Sequence, residues 1–83
     1  MKILYFARFR QIVGRGYEEL VLPADVKTVN ELLQHLIATD ANCAAAFCDT
    51  RTLKVAVDQV HCNLQASIVG AKEVAFFPPV TGG

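Results

Sequence analysis

Apolar and polar positions alternate with a period of two near both ends of the chain and with a helical period in the middle. The opening KILYFA is rich in β-branched and aromatic residues and contains no Gly or Pro. That suits a first strand with Ile3, Tyr5 and Ala7 on one face and Leu4 and Phe6 on the other. Gly14 and Gly16 bracket Arg15 as a turn signal, and YEELVLP follows as a strand that pairs back and ends at Pro23. The clearest element begins at Thr28. Thr28 and Glu31 have capping-box spacing, and Val29, Leu32, Leu33, Leu36 and Ile37 recur at helical intervals, so residues 28 to about 39 form an amphipathic helix. NCAAAFCD is Ala-rich and predicts a short second helix. TLKVAVD alternates as a strand, QVHCNL reads as a short irregular one, and Gly70 turns the chain into EVAFF, a last strand stopped by Pro78 and Pro79. The predicted order is ββα(α)ββ: an α+β roll in which one main helix and a short second helix cover one face of a mixed sheet.

With 83 residues the chain is long enough for one core and too short for two. Residues 1–77 form the expected domain and residues 78–83 an extended tail. Eight basic and eight acidic residues are spread without runs, so the overall field gives no reason to expect nucleic acid or an anionic membrane as partner. The apolar content of 53% contains no stretch long enough for a membrane span, and the surplus points to protein partners. The N-terminal segment reads as a strand and not a signal peptide, and the odd number of cysteines, Cys43, Cys48 and Cys62, fits a reducing compartment. A cytoplasmic protein is expected.

Candidate chemistry along the chain is sparse. Ser67 is the only serine, and neither it nor a cysteine lies in a nucleophile motif. Cys43 and Cys48 lack the second pair that a structural zinc site needs, so no metal site is expected, and the cysteines read as packing residues. His35 lies beside the apolar stripe as a solvated flank residue, and GRG lacks the Lys and spacing of a phosphate loop. What remains is the terminus, EVAFFPPVTGG. Pro78 and Pro79 stiffen the exit from the last strand, and the stretch Pro78, Pro79, Val80, Thr81, Gly82, Gly83 spans at most about 20 Å. Gly82 and Gly83 have no Cβ, so the tip can enter a channel closed to other residues. Its α-carboxylate, with a pKa of roughly 3.5, is ionised and a poor electrophile, so its use demands activation.

EVAFFPPVTGG, ILYFARFRQIVG and the helix TVNELLQHL together resemble the small, sulfur-carrying subunits of molybdopterin synthase, a ubiquitin-like β-grasp family. The resemblance runs along the whole chain and is most specific at FFPPV before the Gly-Gly. The turn VGAKEV departs from the acidic, glycine-containing turn usual in the family. The resemblance implies that an E1-like adenylyltransferase, using ATP and Mg²⁺, converts Gly83 to an acyl-adenylate, and that a persulfide sulfur donor turns it into a thiocarboxylate. The tail would then insert into the large subunit of a heterotetrameric synthase and give sulfur to the cyclic pyranopterin precursor. No cofactor is bound permanently, and catalytic side chains lie on the partner. Strand parity adds a docking surface, because Phe6 and Phe77 face away from the helix at the root of the tail. His61 borders that patch, where the family often carries an apolar residue. A thiamine-pathway sulfur carrier, a ubiquitin-like protein modifier and an interaction domain with an inert tail are the alternatives.

Overall fold

A computed structural model describes residues Met1–Pro79. Strand β1 spans Lys2–Tyr5, helix α1 Ala7–Val13, β2 Tyr17–Glu19, α2 Val29–Thr39, α3 Ala41–Ala46, β3 Lys54–Val57, β4 Val60–Cys62 and β5 Glu73–Phe77. The strands form one sheet in the order β2-β1-β5-β3-β4. β1 and β5 run parallel at its centre, and the other pairs are antiparallel, so the sheet is mixed. This is the expected α+β architecture with a helix-covered face. The strands nearest the two ends of the chain lie side by side, which puts the ends of β1 and β5 at one edge of the fold.

Parity holds in the core. Ile3, Tyr5, Val55, Val74 and Phe76 point to the helical side and pack with Leu32, Leu33 and Leu36 of α2 and Cys43 and Ala46 of α3. Four aromatic rings meet there: Phe47 lies with its centroid 5.1 Å from both Phe9 and Phe76 and 6.2 Å from Tyr5. Helix α2 begins where its sequence says it should. The Thr28 hydroxyl accepts from the Glu31 N–H, and the Glu31 carboxylate accepts from the Thr28 N–H, closing the capping box.

Two expectations are corrected. The connection between β1 and β2 contains α1, so Ala7 does not share a strand face with Ile3 and Tyr5. It is exposed, with φ +53°, and starts the helix immediately after the strand. Phe9 and Val13, four residues apart, are buried, and Gly14 ends the helix at φ +89° with its N–H donating to the Arg10 carbonyl at 2.9 Å. The apolar content of YEELVLP also overstates its strand. The strand ends at Glu19, its last backbone bonds joining Leu20 to Met1, and Val21 is fully exposed.

Two polar clusters join segments far apart in sequence. Arg15 donates to Glu18 at 2.7 Å and to Asp40 at 2.6 Å, while the Tyr5 hydroxyl donates to the same Glu18 oxygen at 2.6 Å. Asp40 also caps α3 by accepting from the Asn42 and Cys43 N–H groups. Arg15, followed by burial acting in the opposite direction and those backbone donors, leaves its carboxyl below the usual range. At the other end of the sheet, Asp58 holds the unusual VGAKEV turn. One of its carboxylate oxygens accepts from Lys72 N–H at 2.8 Å and Glu73 N–H at 3.0 Å. Gly70, at φ +77°, makes the turn itself, in which the Ala71 N–H reaches the Ile68 carbonyl. An acidic residue thus serves this turn from the β3–β4 hairpin instead of from within it.

Candidate functional site: the open sheet face and the root of the tail

The face of the sheet opposite the helices is organised in rows across the strands. Registers align Tyr17, Leu4, Ala75, Ala56 and His61 in one row. The adjacent row, at the end from which Pro78 and Pro79 leave, holds Phe77 opposite Lys54, with Phe6 beside it: the Phe6 N–H donates to the Phe76 carbonyl and continues the parallel ladder by one residue. The row on the other side is charged, with Lys2 between Glu19 and Glu73. The apolar patch therefore abuts the tail root and stops at a charged border.

Within that patch the three sequence-predicted residues lie close together. Phe6 is 47% exposed, Phe77 is half-buried and His61 is exposed. The imidazole of His61 meets the Phe77 ring edge-on, with centroids 5.2 Å apart and planes inclined by 61°. Ala75 and Ala56 are small and buried between these larger side chains, leaving a shallow floor flanked by Leu4 and the largely exposed Tyr17. Sequence reasoning puts Leu4 on this face but misses Ala56, Ala75, Tyr17 and Lys54. Alternation within KVAV and EVAFF carries the signal for the alanines and for Lys54, since each is two residues from another outward position.

Pro78 and Pro79 are half-buried beyond β5. Val80, Thr81, Gly82 and Gly83, the remaining tail positions proposed from sequence, lie outside the described residues. Elsewhere the chemistry is muted. Among the described residues no group of three or more His, Cys, Asp or Glu could hold a metal ion. Cys43 is buried with its thiol 3.6 Å from the Tyr5 hydroxyl, and burial raises its pKa, so it is held as a neutral packing group. Cys48 is exposed and Cys62 half-buried, and all three are free thiols. His35 is half-buried on α2, and its carbonyl accepts from the Thr39 hydroxyl.

Known proteins are similar to this chain over nearly its whole length. The molybdopterin synthase sulfur carrier subunit of Escherichia coli (strain K12) is 41% identical over 83 residues, covering 100% of this chain and 99% of that protein. Its namesake in Haemophilus influenzae is 32% identical over the same 83 residues, covering 100% of this chain and 99% of that protein. Among solved structures, SAMP1 from Haloferax volcanii superposes with a TM-score of 0.74 at 23% identity, covering 99% of this chain and 97% of that one. A putative molybdopterin converting factor, subunit 1, from Pyrococcus furiosus superposes with a TM-score of 0.71 at 26% identity, covering 95% of each chain. The model of the ThiS family matches residues 3–83. With its fold, its sequence relatives and that match in agreement from one end to the other, the chain belongs to the ThiS family.

Proposed function

We propose that the chain is the sulfur carrier subunit of molybdopterin synthase and that Gly83 is the residue that carries the sulfur. The observation that carries this reading is the full-length similarity to the Escherichia coli sulfur carrier subunit, at 41% identity. The open-face patch at the tail root supports it, because a carried reagent needs its carrier docked beside the site where it is used.

The chemistry follows from the carboxylate. An E1-like enzyme would transfer AMP from ATP to the Gly83 carboxylate with Mg²⁺ assistance, releasing pyrophosphate and making the acyl carbon electrophilic. The terminal sulfur of a persulfide donor would then attack that carbon and expel AMP. A thiol would split the S–S bond of the resulting acyl disulfide, leaving the thiocarboxylate. Its sulfur, ionised and soft, would attack the cyclic pyranopterin precursor within the large subunit and displace an oxygen substituent. Water would then cleave the acyl–sulfur bond, leaving the sulfur on the precursor and Gly83 as a carboxylate, and a second such delivery would complete the dithiolene. On this reading the small subunit contributes the reagent and the docking face, the large subunit contributes the catalytic side chains, and the assembly is a cytoplasmic heterotetramer. Among the described residues no helix is long and apolar enough to cross a membrane.

The test is reconstitution of dithiolene formation from the large subunit, the precursor and this chain bearing a synthetic thiocarboxylate. Deleting Gly83 is expected to abolish transfer, because the reacting carbon is displaced by a whole residue and about 1 Å of displacement can cost on the order of 100-fold. Gly82→Val, which keeps the terminus but adds a branched side chain, is expected to reduce transfer by orders of magnitude. Dithiolene formation at the parent rate by the Gly83 deletion would remove the tail from the mechanism.

A further inference from the structure

The strand ends around the exit of the tail carry an excess of positive charge. Phe77, the last residue of β5, stands opposite Lys54 on one side. On the other side Phe6 continues the ladder and leads within two residues to Arg8. Arg8 closes the ring, because its guanidinium donates at 3.0 Å to the hydroxyl of Thr52, the neighbour of Arg51 and two residues before Lys54. Arg8, Arg51 and Lys54 are all exposed. The acidic residue among them, Asp49, is already engaged by Arg51 through bonds of 3.1 and 2.8 Å. The Arg51 bonds, with a smaller contribution from the field of Arg8, lower its carboxyl to about 2. Among the described residues neither Arg8 nor Lys54 forms an ion pair. At the opposite end of the sheet, by contrast, Lys2 and Lys72 are interspersed with Glu19, Asp58 and Glu73. A chain with zero formal net charge therefore gathers a local positive excess where the tail leaves it.

We infer that Arg8 and Lys54, flanked by the Arg51–Asp49 ion pair, form a cationic collar that steers this chain onto an acidic rim of the molybdopterin synthase large subunit, around the opening that receives the tail. The inference rests on the proposed function and adds to it the charge of the receiving surface. The collar is continuous with the apolar patch at Phe6 and Phe77, which gives an apolar centre and a charged border, the anatomy of a specific protein interface. That continuity favours the subunit with which the chain shares an assembly. Charges at such a border act mainly on the encounter: complementary fields raise association rates by roughly 10- to 1,000-fold and are screened beyond about 10 Å at 0.1 M salt. A six-residue tail, whose chain length limits its span to at most about 20 Å, has a small target, so orienting the body before contact raises the yield of each encounter.

The test measures association of purified large subunit with the full chain by stopped flow at low and high salt. The double variant Arg8→Glu with Lys54→Glu is expected to associate about ten-fold or more slowly at low salt, with the deficit closing as salt is raised and the dissociation rate little changed. Arg8→Gln with Lys54→Gln, which removes charge without reversing it, is expected to fall between the double reversal and the parent. Lys72→Glu, at the opposite end, is expected to associate like the parent. Equal rates for parent and double reversal at low salt, or an equal loss from Lys72→Glu, would overturn the collar and leave the proposed function standing. No association of the parent chain with the large subunit under any condition would overturn both.

Discussion

The open face makes its sharpest prediction at Phe77. Replacing it with Asp puts a carboxylate into the apolar patch, where the ring now meets His61 edge-on at 5.2 Å and neighbours Phe6. Full burial of such a side chain stabilises by up to about 3 kcal/mol, so the half-buried Phe77 has about 1.5 kcal/mol at stake. Loss of the aromatic pair adds about 0.5 kcal/mol. A cost of about 2 kcal/mol is smaller than the 5–15 kcal/mol typical of a whole domain and lowers the melting temperature by roughly 8 to 16 °C at this size. Phe77→Asp therefore remains folded. Val74, three residues earlier and fully buried on the helical side, is the control. A carboxylate there has no partner, the cost exceeds about 4 kcal/mol, and Val74→Asp is expected to lose its cooperative melting transition. Binding reverses the ranking among folded variants. A central aromatic of an interface is worth about 2 kcal/mol or more, so Phe77→Asp is expected to weaken affinity for the large subunit by roughly 30-fold or more in titration calorimetry. Affinity within about three-fold of the parent, or unfolding as complete as that of Val74→Asp, refutes the reasoning.

Two further predictions concern the fold that supports this face. Ala7→Gly is expected to be neutral to stabilising by up to about 1 kcal/mol in urea unfolding, because Ala7 holds φ +53°, whereas Ala7→Val is expected to destabilise. Asp40→Ala removes the cap of α3 and the 2.6 Å contact with Arg15, and is expected to cost about 1 to 2 kcal/mol at pH 7. Since the folded-state pKa of Asp40 is lowered, its contribution is present above the unfolded value of about 3.9 and is lost as pH falls through the folded value. The stability curves of parent and Asp40→Ala, measured by urea unfolding from pH 7 downward, are expected to converge only at the acid end.

How far the sequence reveals this molecule depends on the range of the interactions involved. Helix α2 is legible because Thr28, Glu31 and the leucine stripe all act within a few residues. The faces of β1 and β5 are legible because alternation is local, and alternation alone puts Phe6 and Phe77 on the open side. Helix α1 is masked by its context: the strand-forming ILYF runs directly into it, and its N-cap, Phe6, makes no side-chain capping bond. Phe9, Val13 and Gly14 hold the missing signal, two buried positions four apart followed by a left-handed glycine. The Arg15–Glu18–Asp40 bridge and the support of the VGAKEV turn by Asp58 join positions up to 25 residues apart, and no local pattern announces them. The cationic collar is illegible for the same reason. Arg8 and Lys54 look like scattered charges until the parallel pairing of β1 with β5, and the pairing of β5 with β3, bring them to one edge. The proposed chemistry of Gly83, by contrast, comes from covalent structure alone, as a carboxylate on residues without side chains.

Sulfur carriage by Gly83 is the central proposal, and the intact mass of the protein isolated from its own cells tests it most directly. The expected result is a population heavier than the plain chain by the difference between a sulfur and an oxygen atom, localised by fragmentation to Gly83. That population is expected to accumulate when the chain is incubated with the activating enzyme, ATP, Mg²⁺ and a persulfide donor, and to be absent when ATP is withheld. A terminus that stays a carboxylate under the complete conditions, or that is recovered only in lysine conjugates resistant to thiols, would contradict it.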